Sequence, residues 1–168
     1  SLAFNMRYLL ILTTLFLAGT VFSQTSLKDG PKVNGIALGA TREEVVRRLG
    51  KPRSQSKRQA DECVGGVELT LNYPGLTFKL WDDADQKNFT VGYFEVRSAA
   101  WNVSGARVGD ASAAIKRRFG TRTAQEVDSQ TNLLTWYYDM DENISPGNTS
   151  FAFRRGRVSR IATMYLMC

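Results

Sequence analysis

The stretch VNGIALGATREEVVRRLG at residues 33–50 recurs, without a gap, as VSGARVGDASAAIKRRFG at residues 103–120. Six aligned positions are identical, and further positions keep an apolar side chain at helical spacing. A match that preserves apolar positions indicates two copies of one structural unit and not a shared compositional bias. We therefore predict two tandem repeats, one over residues 24–102 and one over residues 103–168.

Each copy predicts a short amphipathic helix with defined ends. Thr41 is the expected N-cap of the first helix, and the glutamate three residues later would complete a capping box. In the second copy, Asp110 or Ser112 is expected to cap the helix. Gly50 and Gly120 are expected to end the helices, because glycine adopts the left-handed backbone conformation that other residues resist.

Basic residues occupy the last turn of both predicted helices, at residues 47–48 and 116–118. Positive charge near a helix C-terminus interacts favourably with the helix dipole, by about 0.3–1 kcal/mol. A site for phosphate or acidic lipid is the alternative interpretation. We favour the interaction with the helix dipole over such a site.

Alternating apolar residues after each helix predict strands. Residues 67–73 and 76–81 alternate around a Pro-Gly turn, which is typical of a β-hairpin with one buried face. The other expected strands are residues 89–97, 133–139, 149–154 and 157–166, and the polar stretches 51–62 and 121–131 are expected as loops. The predicted fold class is α+β: two tandem α-β-β-β units forming one antiparallel sheet with the helices packed on one face.

The segment IALGAT at residues 36–41, followed by Glu-Val at 44–45 and LGKP at 49–52, resembles a family signature. It is similar to the SmpA/OmlA (BamE) envelope lipoproteins and the β-lactamase inhibitory protein superfamily. The resemblance implies an exported protein in which two such units build one continuous sheet, with helices on one side and a binding surface on the other. Two departures stand out: Thr20 occupies the place of a lipid-bearing cysteine, and Ala111 lacks the hydroxyl of the first copy's cap.

The first 23 residues predict a secretory signal. Met6 and Arg7 precede an apolar run at residues 8–22, and Ser23 ends a small-residue pattern typical of a cleavage site. The run is shorter than the roughly 20 residues that a membrane-spanning helix needs. We set the residues before Met6 aside and expect an exported protein, periplasmic or secreted, without a stable membrane anchor after cleavage.

Charge and composition exclude several functional classes. The net charge is +6, and removal of the signal would take away one basic residue, Arg7. Because the chain is expected to be exported, we predict no nucleic-acid partner. It contains no histidine, which removes Ser-His-Asp and Cys-His catalysis and histidine-ligated metal sites.

Neither the cysteines nor the acidic turns predict catalysis. Cys63 and Cys168 are compatible with one disulfide in an oxidising compartment, and two free thiols are the alternative. The turn at 139–143 begins like a calcium loop, but Ile144 replaces the required glycine and Ser150 the bidentate glutamate. We therefore expect no metal, no cofactor and no catalytic residue.

The face of the sheet opposite the helices carries the functional signal. Alternation directs to that face Thr70, Asn72, Thr77, Lys79, Trp81, Thr135, Tyr137, Ala152 and Arg154. Trp, Tyr and Arg are the residue types that most often anchor interfaces, so we predict that Lys79, Trp81, Tyr137 and Arg154 contact a protein partner. A sheet face that simply meets water is the alternative.

Three functions fit these patterns. The leading prediction is an exported, non-catalytic binding module that acts through its open sheet face, as an inhibitor does. The second is an envelope assembly or maintenance factor similar to the SmpA/OmlA proteins. The third is a secreted hydrolase that uses carboxylates alone.

Overall fold

The computed structural model describes residues 26–60, 65–82, 88–142 and 147–165. The predicted signal segment, Cys63 and Cys168 lie outside these ranges. The elements, in chain order, are β1 (Lys32–Val33), β2 (Ile36–Ala37), α1 (Arg42–Leu49), β3 (Ser54–Gln59), β4 (Val67–Tyr73), β5 (Leu76–Asp82), β6 (Phe89–Val96), α2 (Ser112–Phe119), β7 (Ala124–Val127), β8 (Leu134–Asp139), β9 (Gly147–Arg154) and β10 (Arg157–Tyr165). In the described ranges, neither helix has the length and apolar character needed to cross a bilayer.

Eight strands form one open antiparallel sheet in the order β3-β4-β5-β6-β10-β9-β8-β7, and β1 and β2 form a separate small hairpin. The α+β class and the continuous sheet are as predicted. Val45 of α1 and Ile115 of α2 are fully buried in one core with Phe78 and Phe151 of the sheet. Both helices therefore cover the same face of the sheet.

The predicted α-β-β-β unit is wrong by one strand. The stretches 51–62 and 121–131, expected as loops, contain β3 and β7, so four strands follow each helix and not three. Every residue of these two strands is exposed. Because they are the edge strands of the sheet, backbone hydrogen bonds to a single neighbour hold them without any apolar alternation.

The two units are related by an approximate two-fold axis between β6 and β10. Glu95 pairs with Ala162 on this axis. Rotation about this axis superimposes the pair of Phe94 and Thr163 on the pair of Ile161 and Val96. The last strands of the two units thus join two four-stranded meanders into one sheet.

Each helix is anchored to the sheet by the same backbone contact. Gly39 donates its N–H to the carbonyl of Val91 at 2.7 Å, and the Val91 N–H donates to the carbonyl of Ala40 at 2.9 Å. A β-bulge follows at Gly92. The corresponding residues of the second unit are Gly109, Asp110, Val158 and the bulge residue Ser159. The bulge thus occurs directly after the strand residue that holds the start of each helix.

The segments that precede the two helices also bond to each other symmetrically. Asn34 donates its N–H to the Asn102 carbonyl, and Ser104 donates its N–H to the Lys32 carbonyl, both at 2.9 Å. The Asn102 N–H donates to Asn34 Oδ1, and the Lys32 N–H donates to Ser104 Oγ, both at 3.0 Å. These four bonds connect the repeats on the helix side of the sheet.

The helix N-termini differ between the repeats. Thr41 is the N-cap of α1, and its Oγ1 accepts the Glu44 N–H at 3.2 Å, as predicted. The cap predicted at Asp110 or Ser112 is wrong, because Ala111 is the N-cap of α2 and contributes no side-chain bond. The Asp110 carboxylate instead accepts the N–H of Arg107 at 2.9 Å. It stabilises the turn before α2, not the helix itself.

The helix C-termini are equivalent and end at the predicted glycines. Gly50 has φ 79° and ψ −170°, and Gly120 has φ 82° and ψ −148°. This is not the predicted left-handed helical region but a positive-φ, extended region that is almost exclusive to glycine. A tyrosine hydroxyl donates to each carbonyl, from Tyr73 to Gly50 at 3.0 Å and from Tyr138 to Gly120 at 3.4 Å.

Gly50→Asn and Gly120→Asn are each expected to lower the free energy of unfolding by about 1–3 kcal/mol. Asparagine tolerates the left-handed helical region but not the extended ψ seen here, so it should be no better than alanine. Equilibrium denaturation measures the effect. Lys51→Ala, next to Gly50 and exposed, is the control and should change stability by less than about 0.5 kcal/mol. Wild-type stability of the asparagine variants would contradict the assigned backbone geometry.

Candidate functional site

The open face is the set of sheet side chains directed away from α1 and α2. One row of it crosses all eight strands and consists of Ser54, Asn72, Thr77, Glu95, Ala162, Ser150, Tyr137 and Ala124. Both helices lie on the other side, and no element in the described ranges covers this face. Within the described ranges the open face is therefore uncovered, and most of its side chains are half-buried against their neighbours on adjacent strands.

The structure places all four predicted contact residues on the open face but divides them between distant positions. Lys79 and Trp81 are adjacent on β5. Tyr137 on β8 is four strands away in the sheet. The strand registers place Arg154 at the corner diagonal to Trp81, about 30 Å away at ordinary strand spacing. Arg154 is the counterpart of Trp81 under the two-fold relation. Thr77 pairs with Glu95 as Ser150 pairs with Ala162, and Trp81 and Arg154 each lie four residues further along their strands.

A buried carboxylate, Glu68, organises the corner near Trp81. It is only 4% exposed although its side chain belongs to the open face. Arg58 donates to it through Nε at 2.8 Å and Nη2 at 3.1 Å, and Lys79 Nζ lies 3.5 Å from Oε2. The Thr70 hydroxyl donates to Oε1 at 3.3 Å. The Arg58 hydrogen bonds, with a smaller contribution from Lys79, hold the pKa of Glu68 below its usual value.

Tyr93 connects this corner to the centre of the sheet. Its ring centroid lies 5.5 Å from Lys79 Nζ, and its hydroxyl donates to Glu95 Oε2 at 3.1 Å. Glu95 also pairs with Arg97 and Arg160. Burial, and then the neighbouring Glu95, raise the pKa of Tyr93 to about 12. Tyr93 therefore keeps its proton and serves as a neutral hydrogen-bond donor.

Trp81 lies against the backbone of Gly92, the bulge residue of β6. A Cβ at Gly92 would lie 1.8 Å from ring atom Cζ3 of Trp81, so only glycine permits this contact. Trp81 also pairs across the strands with Glu68 and Thr90. The indole is thus held in place by neighbouring strands and remains partly exposed.

We call this group the Trp81 patch; it consists of Arg58, Glu68, Lys79, Trp81, Tyr93, Glu95, Arg97 and Arg160. Each of its two carboxylates is flanked by two cations: Glu68 by Arg58 and Lys79, and Glu95 by Arg97 and Arg160. Among these eight residues, four cations outnumber two carboxylates. Such a surface is complementary to a partner that carries acidic groups.

Sequence reasoning missed much of the Trp81 patch for two reasons. Arg58 lies in β3, which was expected as a loop. Gly92 inserts an extra residue into β6 and shifts the alternation, so that Tyr93 and Glu95 face outward. A glycine inside an alternating stretch is a recognised signal of a bulge, and it could have revealed the shift.

The acidic turns contribute structural bonds in the described ranges. Asp82 Oδ1 accepts the Val67 N–H at 2.8 Å, and the Asp141 N–H donates to the carbonyl of Lys28 at 3.0 Å. In the same ranges, no three Cys, Asp or Glu side chains converge closely enough to hold a metal ion.

Comparisons with known proteins give only distant similarities of fold. No protein-family model and no curated protein matches the chain. Among solved structures, it is similar to a DUF4309 family protein (YjgB) of Bacillus subtilis, with a TM-score of 0.44 and 10% identity over 75% of this chain and 78% of that one.

An extracellular protein of Bacillus anthracis that contains an SCP domain gives a TM-score of 0.47 and 12% identity, over 76% of this chain and 44% of that one. This chain therefore spans less than half of that protein. These similarities assign no family. The relationship to the SmpA/OmlA and β-lactamase inhibitory protein group stays a prediction.

Glu68→Gln tests whether the Glu68 ion pairs support the patch. The lowered pKa means that ionised Glu68 stabilises the fold above the usual glutamate pKa, and that this stability is lost as the pH falls through the lowered value. At neutral pH the substitution should cost about 2 kcal/mol, and the variant should lose less further stability in acid than the wild type.

Chemical denaturation across the acidic range provides the measurement. Glu126→Gln is the matched control, because Glu126, like Glu68, faces outward, but it is exposed and accepts a bond from Tyr137 and not from a cation. It should change stability by less than about 0.5 kcal/mol. Equal effects of the two substitutions would show that Glu68 has no special role.

Proposed function

We propose that this protein is an exported, non-catalytic binding module that captures a protein partner on the Trp81 patch. The observation that carries the proposal is the fixed, partly exposed indole of Trp81 among interlocked charged side chains on an uncovered sheet face. Tryptophan, tyrosine and arginine are enriched at binding hot spots, and side chains already held in place lose less conformational entropy on binding.

The arrangement of the carboxylates favours binding over hydrolysis. Glu68 is held ionised by Arg58 and Lys79, whereas a general acid needs a raised pKa. From the strand registers, the Cα atoms of Glu68 and Glu95 lie about 16 Å apart, and Lys79 and Tyr93 connect the two side chains, so neither carboxylate faces the other across an open cleft. The two carboxylates therefore serve to hold the neighbouring basic side chains of the patch in place.

The chemistry of the patch favours an acidic partner centred on one corner of the sheet. A standard interface of about 800 Å² per partner is roughly 30 Å across, and its energetic anchors cluster near the centre. Trp81 and Arg154 are about 30 Å apart, so both cannot lie near the centre of one such interface. We place the anchors at Trp81, Lys79 and Tyr93 and assign Tyr137 and Arg154 to the rim or to a separate contact.

Trp81→Ala is expected to weaken partner binding about 30-fold, which corresponds to about 2 kcal/mol. A photo-crosslinking residue at Thr77, which lies on the open face two positions before Lys79 on β5, identifies the partner in extracts of the native source. A photo-crosslinking residue at exposed Ala113 on α2 is the control. The partner should crosslink from position 77 and not from position 113. Its affinity for the purified variants is then measured by calorimetry.

Arg154→Ala is the matched control, because Arg154 occupies the counterpart position of Trp81 on the same face. It should change affinity less than about threefold. Raised ionic strength should weaken binding of the wild type, because the patch is basic.

Thermal midpoints are recorded for each variant, since Trp81 also covers Gly92 and its loss could change the stability of the fold. Equal crosslinking from both positions, or equal affinity of wild type and Trp81→Ala, would refute the proposal.

Export is expected to remove the segment that ends near Ser23, because Arg7 and the apolar run at 8–22 have the pattern of a signal. Intact-mass measurement of the protein recovered outside the cytoplasm determines the new N-terminus. A recovered species that still begins at Met6 would contradict cleavage.

Thiol labelling of the same sample under denaturing conditions tests whether Cys63 and Cys168 form a disulfide.

A further inference from the structure

A cavity of about 300 Å³ lies on the helix side of the sheet, at the end of α2. Its walls come from the segment 26–28, from Phe119, Thr121 and Thr123, and from Tyr138 and Asp139. Its volume falls at the lower end of the range for small-ligand pockets. It lies on the side of the sheet away from the Trp81 patch, so its role is independent of the proposed partner site.

The first repeat contains a tryptophan at the corresponding place. Trp101 packs edge-on against Tyr73, with ring centroids 6.3 Å apart, and its Nε1 donates to the carbonyl of Pro74 at 2.8 Å. Tyr73 corresponds to Tyr138, because each donates its hydroxyl to the carbonyl of the glycine that ends its helix. The two residues that hold the indole of Trp101 thus correspond to two residues that line the cavity, Tyr138 and Asp139.

The two repeats differ at the position that Trp101 occupies. The alignment that superimposes residues 33–50 on 103–120 places Pro31 opposite Trp101. Pro31 is buried, and its small pyrrolidine ring replaces the indole with which Trp101 contacts Tyr73 in the first repeat. The remaining wall residues also correspond: Leu49 to Phe119, Lys51 to Thr121 and Arg53 to Thr123.

We propose that this cavity is a binding site for an indole group. Tyr138 and Phe119, 6.0 Å apart between ring centroids, provide aromatic walls for the ring. Asp139 provides oxygen acceptors at the place where Pro74 accepts the indole N–H in the first repeat. Lys28 and Asp139 at the cavity walls offer one charge of each sign for the polar part of a ligand that carries the indole.

Titration with N-acetyl-tryptophanamide, followed by NMR of the backbone amides of Leu27, Thr121 and Thr123, tests the proposal. We expect saturable shifts with half-saturation at roughly millimolar concentration, the range for a ligand of this size. N-acetyl-leucinamide should give at least tenfold weaker binding. Free tryptophan identifies the source of the indole: tighter binding than the capped amide indicates a free amino acid, and equal or weaker binding indicates a side chain within a peptide.

Two substitutions fill the site. Pro31→Trp supplies an internal indole at the position that corresponds to Trp101, and Thr121→Trp places a ring at the exposed mouth. Each should weaken binding at least tenfold. Lys51→Trp, the counterpart of Thr121 in the first repeat, should leave binding unchanged. If Pro31→Trp does not fold, the exposed position of Thr121 keeps the test intact.

Three results would overturn the proposal: no saturable shift in the wild type, equal binding of the leucine and tryptophan amides, or unchanged binding in Thr121→Trp. None of these results bears on the Trp81 patch, because that surface is tested with its own variants and its own ligand. Conversely, loss of partner binding in Trp81→Ala would not change the expected result of the indole titration.

Discussion

The pairing of β6 with β10 is the constraint on which the rest of the structure depends. It joins the last strands of two meanders that would otherwise each expose an unpaired edge, and it brings Phe94 and Ile161 into one core. The axis of this pairing also determines where the helices lie. Because Val91 and Val158 hold the starts of α1 and α2 in the same way, both helices cover one face and leave the other open.

The sequence predicts those parts of this arrangement that produce a one-sided apolar pattern. Both helices and the six strands of the large sheet that have a buried face were anticipated, because burial requires apolar residues at regular spacing. β3 and β7 were missed, since an edge strand exposed on both sides is held by backbone bonds that leave no side-chain signal. The cap of α2 was misplaced because the Asp110 carboxylate bonds locally to Arg107.

The open face was harder to predict than the core. The alternation of side chains along β5 and β8 was sufficient to predict that Trp81 and Tyr137 face outward. It could not show that Trp81 and Arg154 lie at opposite corners, because that depends on the order of strands across the joined repeats. Nor could it show that Glu68 is buried, since its burial comes from Arg58 and Trp81 on neighbouring strands.

The bulge residues are one of the differences between the two corners of the open face. Both units need an extra residue after the strand position that holds the helix, Gly92 in one and Ser159 in the other. A side chain at position 92 would occupy the space of the Trp81 ring, so the glycine is what allows an indole to lie flat at that corner. At the other corner Ser159 carries a Cβ, its hydroxyl donates to the Ala152 carbonyl, and Arg154, the counterpart of Trp81, is exposed. Gly92 therefore permits an aromatic ring at one corner, whereas the equivalent corner has a serine at the bulge and an exposed arginine in place of that ring.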